Sequence, residues 1–573
     1  MDLARSAAAR RALICAWALL FSLTFNFDGQ AQVGASPADE SAKQLLAEKQ
    51  WQQVVQLAES ASSRSADLDF YYGSALAQLQ RWSEAHRAFQ AGAALQPRDP
   101  RFLIELAGVD FKQKHYSETV SHLRRALRLA PDDAYALDFL ATTYFLQGNQ
   151  EAAVKYWNPL GRPNLAAVRF DPTPRINPAL LDRAFAFAPQ SVLRLDDLLD
   201  SEARVEGLGI FSSFNFETQA RADGGFDLVF HNHENNGFGP SKIGAIIRLF
   251  RGLPGQTVYP EYFNFHSQAI NFTSMYRWDA EKRRVLVELS SPWRHNPKRR
   301  VTLGPDLRGE NWDIRSSFRN TAPLLGGFNL RREAFRAEIS TLESWRWNWT
   351  AGGEVSHRDF RDINFGSVLT PSLLAKGYQL KQTAALNFQV LHLPEERLTL
   401  SARGSSDAGR LWSTPSQSFE RLQGSLRLHW LPQAVGDDYE VHQELRAGKT
   451  WGNLPFDELS VFGGLGDSDL MMRGHITTRR GRKGSGPLGR NYFLSNSEID
   501  KNIFHDAWVA VKLGPFLDTG KITDPLPGLG SRQWLWDTGA QIKVRAFGFG
   551  VAFSYGKDLR SGNNAVFFRF LGE

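Results

Sequence analysis

Residues 541–555 alternate with a polarity that few folds accept: Phe547, Phe549, Val551, Phe553 and Tyr555 share one parity, and Gly548, Gly550, Ala552 and Ser554 the other. Successive side chains of a strand point to opposite faces, so this strand is bulky and apolar on one side and nearly bare on the other. In a soluble sandwich the large residues more often turn inward and charges face water; here glycines stand where those charges belong. The last strand of the chain repeats the pattern, with Val566, Phe568 and Phe570 against Ala565 and Arg569. Segments of about ten residues, apolar on one parity and small or polar on the other, are what a membrane barrel needs.

Such segments recur across residues 237–573, with strands expected at 262–278, 284–293, 334–342, 345–357, 384–393 and 426–431. Dividing this length by about 21 residues for a strand and its connection gives about sixteen strands. The 48 glycines and 12% aromatic content of the 573-residue chain suit many strands and turns. Past the N-terminal region there is no run of about 18 apolar residues, so no helix is expected to cross a bilayer. A secreted, strand-rich chain then either stays soluble or closes a barrel whose backbone is satisfied between strands.

Residues 1–31 read as a secretory signal: Arg5, Arg10 and Arg11 precede an apolar run over residues 12–23, and Gly29-Gln30-Ala31 offers a small-residue cleavage site. The single cysteine, Cys15, lies inside that run behind Ile14, where a lipoprotein signal requires a small residue, so lipidation is not expected. The mature chain, starting near Gln32, therefore has neither a disulfide nor a thiolate metal site. Its formal charge of +6 favours anionic surfaces such as lipopolysaccharide, and is equally ordinary for a soluble protein.

Residues 66–99 and 100–133 are consecutive units of one length, and Ala134 opens a third that runs to about residue 164. Small residues recur at Gly73, Ala107 and Ala141, large ones at Phe89, Leu123 and Trp157, and prolines end two units at Pro97 and Pro131. Ala85 and Ala153 also match. This helix-turn-helix pattern resembles the tetratricopeptide repeat, with two departures: Thr119 replaces a small residue, and Asp110 stands where an aromatic is usual. Residues 41–65, with Leu45, Leu46, Trp51, Val54 and Val55 at helical spacing, add a further helix pair, making residues 37–164 an all-α repeat region. Such an array is either a docking surface for another polypeptide, here a periplasmic partner, or a spacer that only stacks on its neighbour.

From residue 165 to 236 the pattern becomes strand, two helices and two strands. Ala167-Val168-Arg169-Phe170 starts it, helical periodicity covers 177–187 and 195–207, and Gly209-Ile210-Phe211 leads into Phe214-Asn215-Phe216 and Phe226-Asp227-Leu228-Val229-Phe230. The Gly-x-Gly-Ile-Phe turn and Glu234 at the end of the third strand resemble a POTRA domain. That likeness implies a small periplasmic α/β module that binds client chains, partly by adding a strand to its sheet edge. His231 and His233 share one strand face near Glu234; a solvated face is the expectation there, not a metal.

Two short motifs remain: Leu470-Met471-Met472-Arg473-Gly474-His475 in a glycine-rich loop, and Phe516-Leu517-Asp518-Thr519-Gly520 on an alternating strand. Parity puts Val509, Val511, Leu513 and Leu517 on one face and Lys512, Gly514, Phe516 and Asp518 on the other, so Asp518 points into a lumen. These motifs resemble the Arg-Gly loop and the Phe-x-Asp-x-Gly strand of the bacterial surface antigen superfamily, outer-membrane β-barrels that include BamA and TamA. The resemblance implies sixteen strands and an arginine, Arg473, that meets Asp518 and a glutamate best matched by Glu498. Glu288-Leu289-Ser290-Ser291-Pro292-Trp293 is similar to that family's strand ending at a Pro-aromatic corner. Glycines of the loop, Gly463, Gly464 and Gly466, would let it fold back by adopting conformations closed to other residues. At an effective dielectric of about 20 and about 4 Å, one such ion pair is worth roughly 4 kcal/mol before desolvation. His475 replaces the usual aromatic after Arg-Gly. An exposed arginine and an ordinary turn aspartate are the plain alternative.

The basic stretch from Thr478-Arg479-Arg480-Gly481-Arg482-Lys483 to Arg490 has no interleaved aromatics, so an extracellular tip meeting anionic lipid or solvent is expected, and no nucleic acid. No catalytic motif is found: there is no Gly-x-Ser-x-Gly elbow, His-Glu-x-x-His or phosphate loop, and no cofactor is implied. The expectation is thus a non-enzymatic outer-membrane assembly or translocation factor. Periplasmic modules capture unfolded outer-membrane or secreted clients, and the barrel inserts or exports them. A passive channel or structural anchor docking a periplasmic partner through its repeats is the alternative.

Overall fold

The computed structural model describes residues 36–319, 321–433, 438–464, 470–506, 509–525, 533–546 and 549–571. The expected signal peptide, Phe547, Gly548, Gly466 and the terminal Gly572-Glu573 lie outside these residues. The chain divides into two compact units, residues 1–131 and 132–573.

Six helices build the described part of the first unit: α1 (Pro37–Ala47), α2 (Trp51–Ser60), α3 (Ala66–Gln78), α4 (Trp82–Leu95), α5 (Pro100–Lys112) and α6 (Tyr116–Leu129). Side-chain caps set the starts of α1, α3 and α5, Ser65 accepting from Leu68 N–H and Asp99 from Arg101 N–H. α3 packs on α4, and α5 on α6. A Cβ at Gly73 would stand 2.7 Å from the Phe89 ring, so the recurrent small residue is what lets α3 and α4 close. Phe89, Leu123, Ala85, Ala107 and Thr119 are all fully buried.

The second unit starts with α7 (Ala134–Leu146) and α8 (Gln150–Trp157). It continues through β1 (Leu165–Asp171), α9 (Pro178–Ala184), α10 (Leu195–Leu208), β2 (Phe211–Ala220) and β3 (Phe226–Glu234). The sheet has order β1-β3-β2, with β1 parallel and β2 antiparallel to the central strand. Leu180, Leu198 and Val205 from the helices meet Phe216, Leu228 and Phe230 in one core. Both sheet edges are partly capped: Gln150 of α8 accepts from Thr218 N–H at 2.9 Å, and Leu165 N–H donates to Ser191 O at 2.9 Å.

A closed barrel follows, in which successive wall strands pair antiparallel. Its wall consists of β4 (Thr257–Val258), β5 (Glu261–Phe265), β6 (Ile270–Trp278), β7 (Lys282–Trp293), β8 (Asn296–Arg315), β9 (Leu324–Ser344) and β10 (Trp347–Asn364). It goes on with β11 (Gly377–Leu393), β12 (Leu398–Trp412), β13 (Gln417–Trp430) and β14 (Tyr439–Gly452). A long connection carries the two-residue strands β15 (Ser460–Val461), β16 (Thr478–Arg479), β17 (Arg482–Lys483) and β18 (Leu488–Gly489). β19 (Tyr492–His505), β20 (Val509–Ile522), β21 (Leu535–Ala546), β22 (Phe549–Asp558) and β23 (Asn564–Leu571) complete the wall. With β4 and β5 taken as one strand broken at Tyr259-Pro260, fifteen wall strands lie among the described residues, close to the number obtained by dividing the length.

A helix, α11 (Lys242–Phe250), stands before the first wall strand near where the barrel was expected to begin. Ser241 caps it, and Arg251 pairs with Glu261 at 2.6 Å, while Ile243, Ile246 and Phe250 stay exposed. Residues 262–278, expected as one strand, form the hairpin β5–β6, because His266, Ser267 and Ala269 take left-handed backbone with φ of 52°, 60° and 53°. Residues 541–555, also expected as one strand, are divided between β21, which ends at Ala546, and β22, which begins at Phe549; the two pair antiparallel, with Ile542 opposite Phe553, so the outward parity is even on one and odd on the other. β8, β12, β14 and β19 were not anticipated; each carries charged residues on its inward side, which hides the apolar alternation.

Outward residues such as Leu513, Leu517, Phe553, Tyr555, Phe568 and Phe570 are each about two-fifths to one-half exposed, whereas Phe516, Asp518, Ala552 and Ser554 are buried. Short turns join the strands at one end of the barrel, and the α/β module and α8 fasten there. Asn149 donates to Pro394 O at 2.7 Å, Lys155 pairs with Glu395 at 2.8 Å, and Trp345 N–H and Nε1–H reach Asp200 and Asp196 at 2.6 and 2.9 Å. Asn271 and Arg300 bind carbonyls at the C-terminus of α10.

Candidate functional site

The connection from β14 to β19, described at residues 453–464 and 470–491, leaves the wall at the end opposite the short turns and folds back into the lumen. Its tip meets a row of wall residues set by strand register. Asn496 of β19 lies opposite Asp518 of β20, Asp518 opposite Asp537 of β21, and Asp537 opposite Asp558 of β22. Three inward carboxylates thus stand side by side, and all three are buried.

Consecutive loop residues meet consecutive members of this row. Arg473 is 4% exposed and grips Asp518 with two parallel bonds, Nε to Oδ2 at 2.9 Å and Nη2 to Oδ1 at 2.6 Å, while its own N–H donates to Oδ2 at 2.9 Å. Its third nitrogen, Nη1, donates to Glu498 at 2.7 Å and to Gln541 at 2.9 Å. The guanidinium lies 3.7 Å from the Phe516 ring centroid, so the strand aromatic is the platform on which the fork is held flat. Gly474 N–H donates to Asp537 Oδ2 at 2.6 Å, and His475 Nδ1 is 3.0 Å from the same oxygen, with Nε2 3.7 Å from Asp558. The polar His475 in place of an aromatic is explained by these carboxylates. Met472, fully buried, packs with Phe462 over Gly520, where a Cβ would come within 2.7 Å of both.

Every site residue named from the sequence, Met472, Arg473, Gly474, His475, Glu498, Phe516, Asp518 and Gly520, falls in this one cluster. Gly474 is needed for space and not for backbone conformation: an added Cβ would sit 2.6 Å from Asp537 Cγ and 2.8 Å from Asp558 N. Gly463 does use a glycine-favouring φ of 144°. Missed from the sequence were Asn496, Asp537, Gln541, Asp558 and Gly556, the last of which would place a Cβ 1.9 Å from Arg473 O. Inward parity on β21 and β22 was the signal available for them.

A second cluster, also missed, has the opposite arrangement of charge. Asp457 and Glu458, near the start of the connection, enter a ring of wall cations. Lys381 and Arg421 approach Glu458 at 3.0 and 3.4 Å, Arg332 reaches it at 3.4 Å, and Arg358 pairs with Asp457 at 2.6 Å. Phe456 beside them packs on Trp312 and Phe328. Four inward cations on β9, β10, β11 and β13 were legible by parity and require such anions.

The basic stretch 478–490 is also placed differently from expectation. Arg482 pairs with Glu281 and Asp313 at 2.9 and 3.2 Å, Lys483 with Glu310 at 2.8 Å, and Arg490 with Asp524 at 2.7 Å. Lys483 also pairs in register with Trp312 of β8. Glu310 and Asp313 of the wall, Glu281 of the β6–β7 turn and Asp524 just after β20 hold these charges, so the segment lies against the barrel instead of forming a free tip.

In the α/β module, His231 bridges Asp171 and Glu217 at 3.1 and 2.8 Å, His233 is exposed, and Glu234 turns away to Asn264 and Arg175 N–H.

Architecture and site together define a closed β-barrel with an arginine-pinned inner loop, accompanied by tetratricopeptide-like helices. No family model matches the chain, and no curated protein matches it. Among solved structures it is similar to BamA from Haemophilus ducreyi lacking POTRA domains 1–3, at 14% identity over 71% of this chain and 84% of that one, with a TM-score of 0.41. It is similar to CdiB from Escherichia coli at 13% identity, over 72% of this chain and 76% of that one, with a TM-score of 0.46. A smaller portion is similar to YrrB, a TPR protein, at 17% identity over 22% of this chain and 66% of that one, with a TM-score of 0.21. The likeness is one of architecture.

Proposed function

We propose that this chain is an outer-membrane assembly or translocation factor of the bacterial surface antigen superfamily, and not an enzyme. Residues 1–31 are its signal peptide, 37–164 its tetratricopeptide region, 165–236 a POTRA domain and 237–573 the barrel. Repeats and POTRA domain lie in the periplasm and take unfolded client polypeptides; the barrel, in contact with lipid and lipopolysaccharide, inserts or exports them. The observation that carries this reading is the Arg473 tip seated on the Asp518-Asp537-Asp558 row while the α/β module is fastened to the opposite, short-turn end. A client held at the module is thereby presented to a barrel whose interior is gated by an ordered loop. A permanently open pore is the weaker reading, since Asp457, Glu458, Arg473 and His475 of the connection are held in the lumen by two ion clusters.

A strand added to the sheet would meet β1 or β2 at backbone not already taken by Ser191 or Gln150. Depletion of the protein, followed by outer-membrane proteomics and a secretion assay, tests the proposal. Loss of many barrels identifies an insertase and loss of one exported protein a dedicated translocator; an unchanged proteome and secretome overturns both.

A further inference from the structure

His86 on α4, Asp110 on α5 and His122 on α6 converge within the first compact unit, although they are far apart in sequence. The Asp110 side chain is 6% exposed and offers one oxygen to each imidazole: Oδ1 lies 3.7 Å from His86 Nε2, and Oδ2 lies 3.4 Å from His122 Nε2. Oδ2 makes no hydrogen bond, nor does the buried Nδ1 of His122. Both separations exceed those of good N–H···O bonds. The 3.4 Å separation is that of ligands sharing an ion, and the 3.7 Å one lies just beyond it. With metal–ligand bonds of about 2.0–2.2 Å, tetrahedral neighbours stand about 3.3–3.6 Å apart. All three ligand atoms lie within 4.8 Å of one another.

The repeat pattern places an aromatic where Asp110 stands. An aromatic would fill the space among the three helices; an aspartate brings a buried carboxylate that requires a cationic partner. Two imidazoles with one carboxylate are a ligand set for a borderline ion, not for calcium or magnesium, which prefer oxygen.

We propose that His86, Asp110 and His122 form a divalent transition-metal site, with Zn2+ as the ion this donor set favours. The His86 side chain is 29% exposed, which leaves a fourth position open to water. The ion joins α4 of one repeat to α5 and α6 of the next and so stiffens the array across a repeat boundary.

The test uses the full chain in detergent, stripped with a chelator and titrated with Zn2+ or Co2+. Wild type is compared with His86→Gln, Asp110→Asn and His122→Gln. The expected result is one more tightly bound Zn2+ in wild type than in each variant. Its affinity should fall at least about tenfold on substitution, the loss that even an outer-shell partner produces. The tetrahedral Co2+ absorption should be lost in parallel. The difference from wild type separates this site from background binding at His429, Glu440 and His442 in the barrel. A measurement on wild type alone covers the case of a misfolded variant: Zn2+ should protect His86 and His122 from diethyl pyrocarbonate, read by peptide mass. Equal stoichiometry in wild type and folded variants, or equal labelling with and without Zn2+, overturns the site.

Discussion

Asp518 and Asp537 face each other across the β20–β21 register, both with no exposed surface, so two buried carboxylates are direct neighbours on one face of the wall. Like charges opposite one another destabilise a sheet. The loop tip relieves this by placing Arg473 on the first and Gly474 N–H with His475 on the second. Arg473→Ala is therefore expected to cost about 3–5 kcal/mol, the range for stranding one partner of a buried ion pair. Heat-modifiable electrophoretic mobility should be lost at a lower temperature and client handling should fail. A charge swap, Arg473→Asp with Asp518→Arg, should restore part of both. Wild-type heat resistance and activity in the single variant would contradict the latch.

Space at the tip is as critical as charge. Gly556→Val should displace the loop, because even the first carbon of a side chain would stand 1.9 Å from Arg473 O, and Gly474→Ala should do so more mildly. Limited proteolysis of residues 453–491 in intact outer membranes should become at least several-fold faster. Unchanged cleavage would mean the loop is not seated there.

Glu458 neutralises several wall cations at once. Glu458→Gln removes the anion that Arg332, Arg358, Lys381 and Arg421 share, and leaves Asp457, Glu354 and Asp407 to offset four cations. The expected outcome is a barrel that melts earlier, with the shift largest at low salt, since the uncovered repulsion is screened by ions. A melting temperature equal to that of wild type at all salt concentrations would remove the second cluster as a fastening point.

Glu202 on α10 gives a pH-dependent prediction. Burial, together with the nearby carboxylates Glu151 and Glu206, pushes its carboxyl up to about 8 from the ordinary 4.5. A group whose folded pKa is raised contributes stability that is complete below its unfolded pKa and is lost as pH climbs through the folded value. Stability of the second unit should thus decline between about pH 4.5 and pH 8. Glu202→Gln should flatten that decline, raising the melting temperature at pH 8 with no gain at pH 4. Parallel pH profiles for variant and wild type would show that Glu202 ionises normally.

Much of the fold was legible because it is periodic. The repeats declare themselves through Gly73, Phe89, Ala107 and Leu123, whose sizes are dictated by helix contacts inside a short unit. The last strand, β23, declares itself through the parity of Val566, Phe568 and Phe570 alone, whereas the same rhythm hid the break between β21 and β22. β8 and β12 did not, because Arg299, Arg300, Arg308, Arg403 and Arg410 interrupt the apolar rhythm that parity needs. Of the site, Arg473, Phe516 and Asp518 were readable as motifs. Gln541, Asp537 and Asp558 join them only through register, and register is a relation between strands.

By itself the sequence determined local identity: which segments become helices or strands, which face of each strand is apolar, and that Asp518 turns inward. Those properties depend on neighbours within a few positions, where backbone geometry leaves little choice. The tertiary structure decided which inward residues meet. Strand register in the barrel aligned Asp518, Asp537 and Asp558 in one row and set Lys483 of the loop's basic stretch on Glu310, while helix packing in the first unit brought His86, Asp110 and His122 together across three helices. These pairings are set by strand register and helix packing over long sequence distances, and the electrostatic cost of an unpartnered buried charge selects among them.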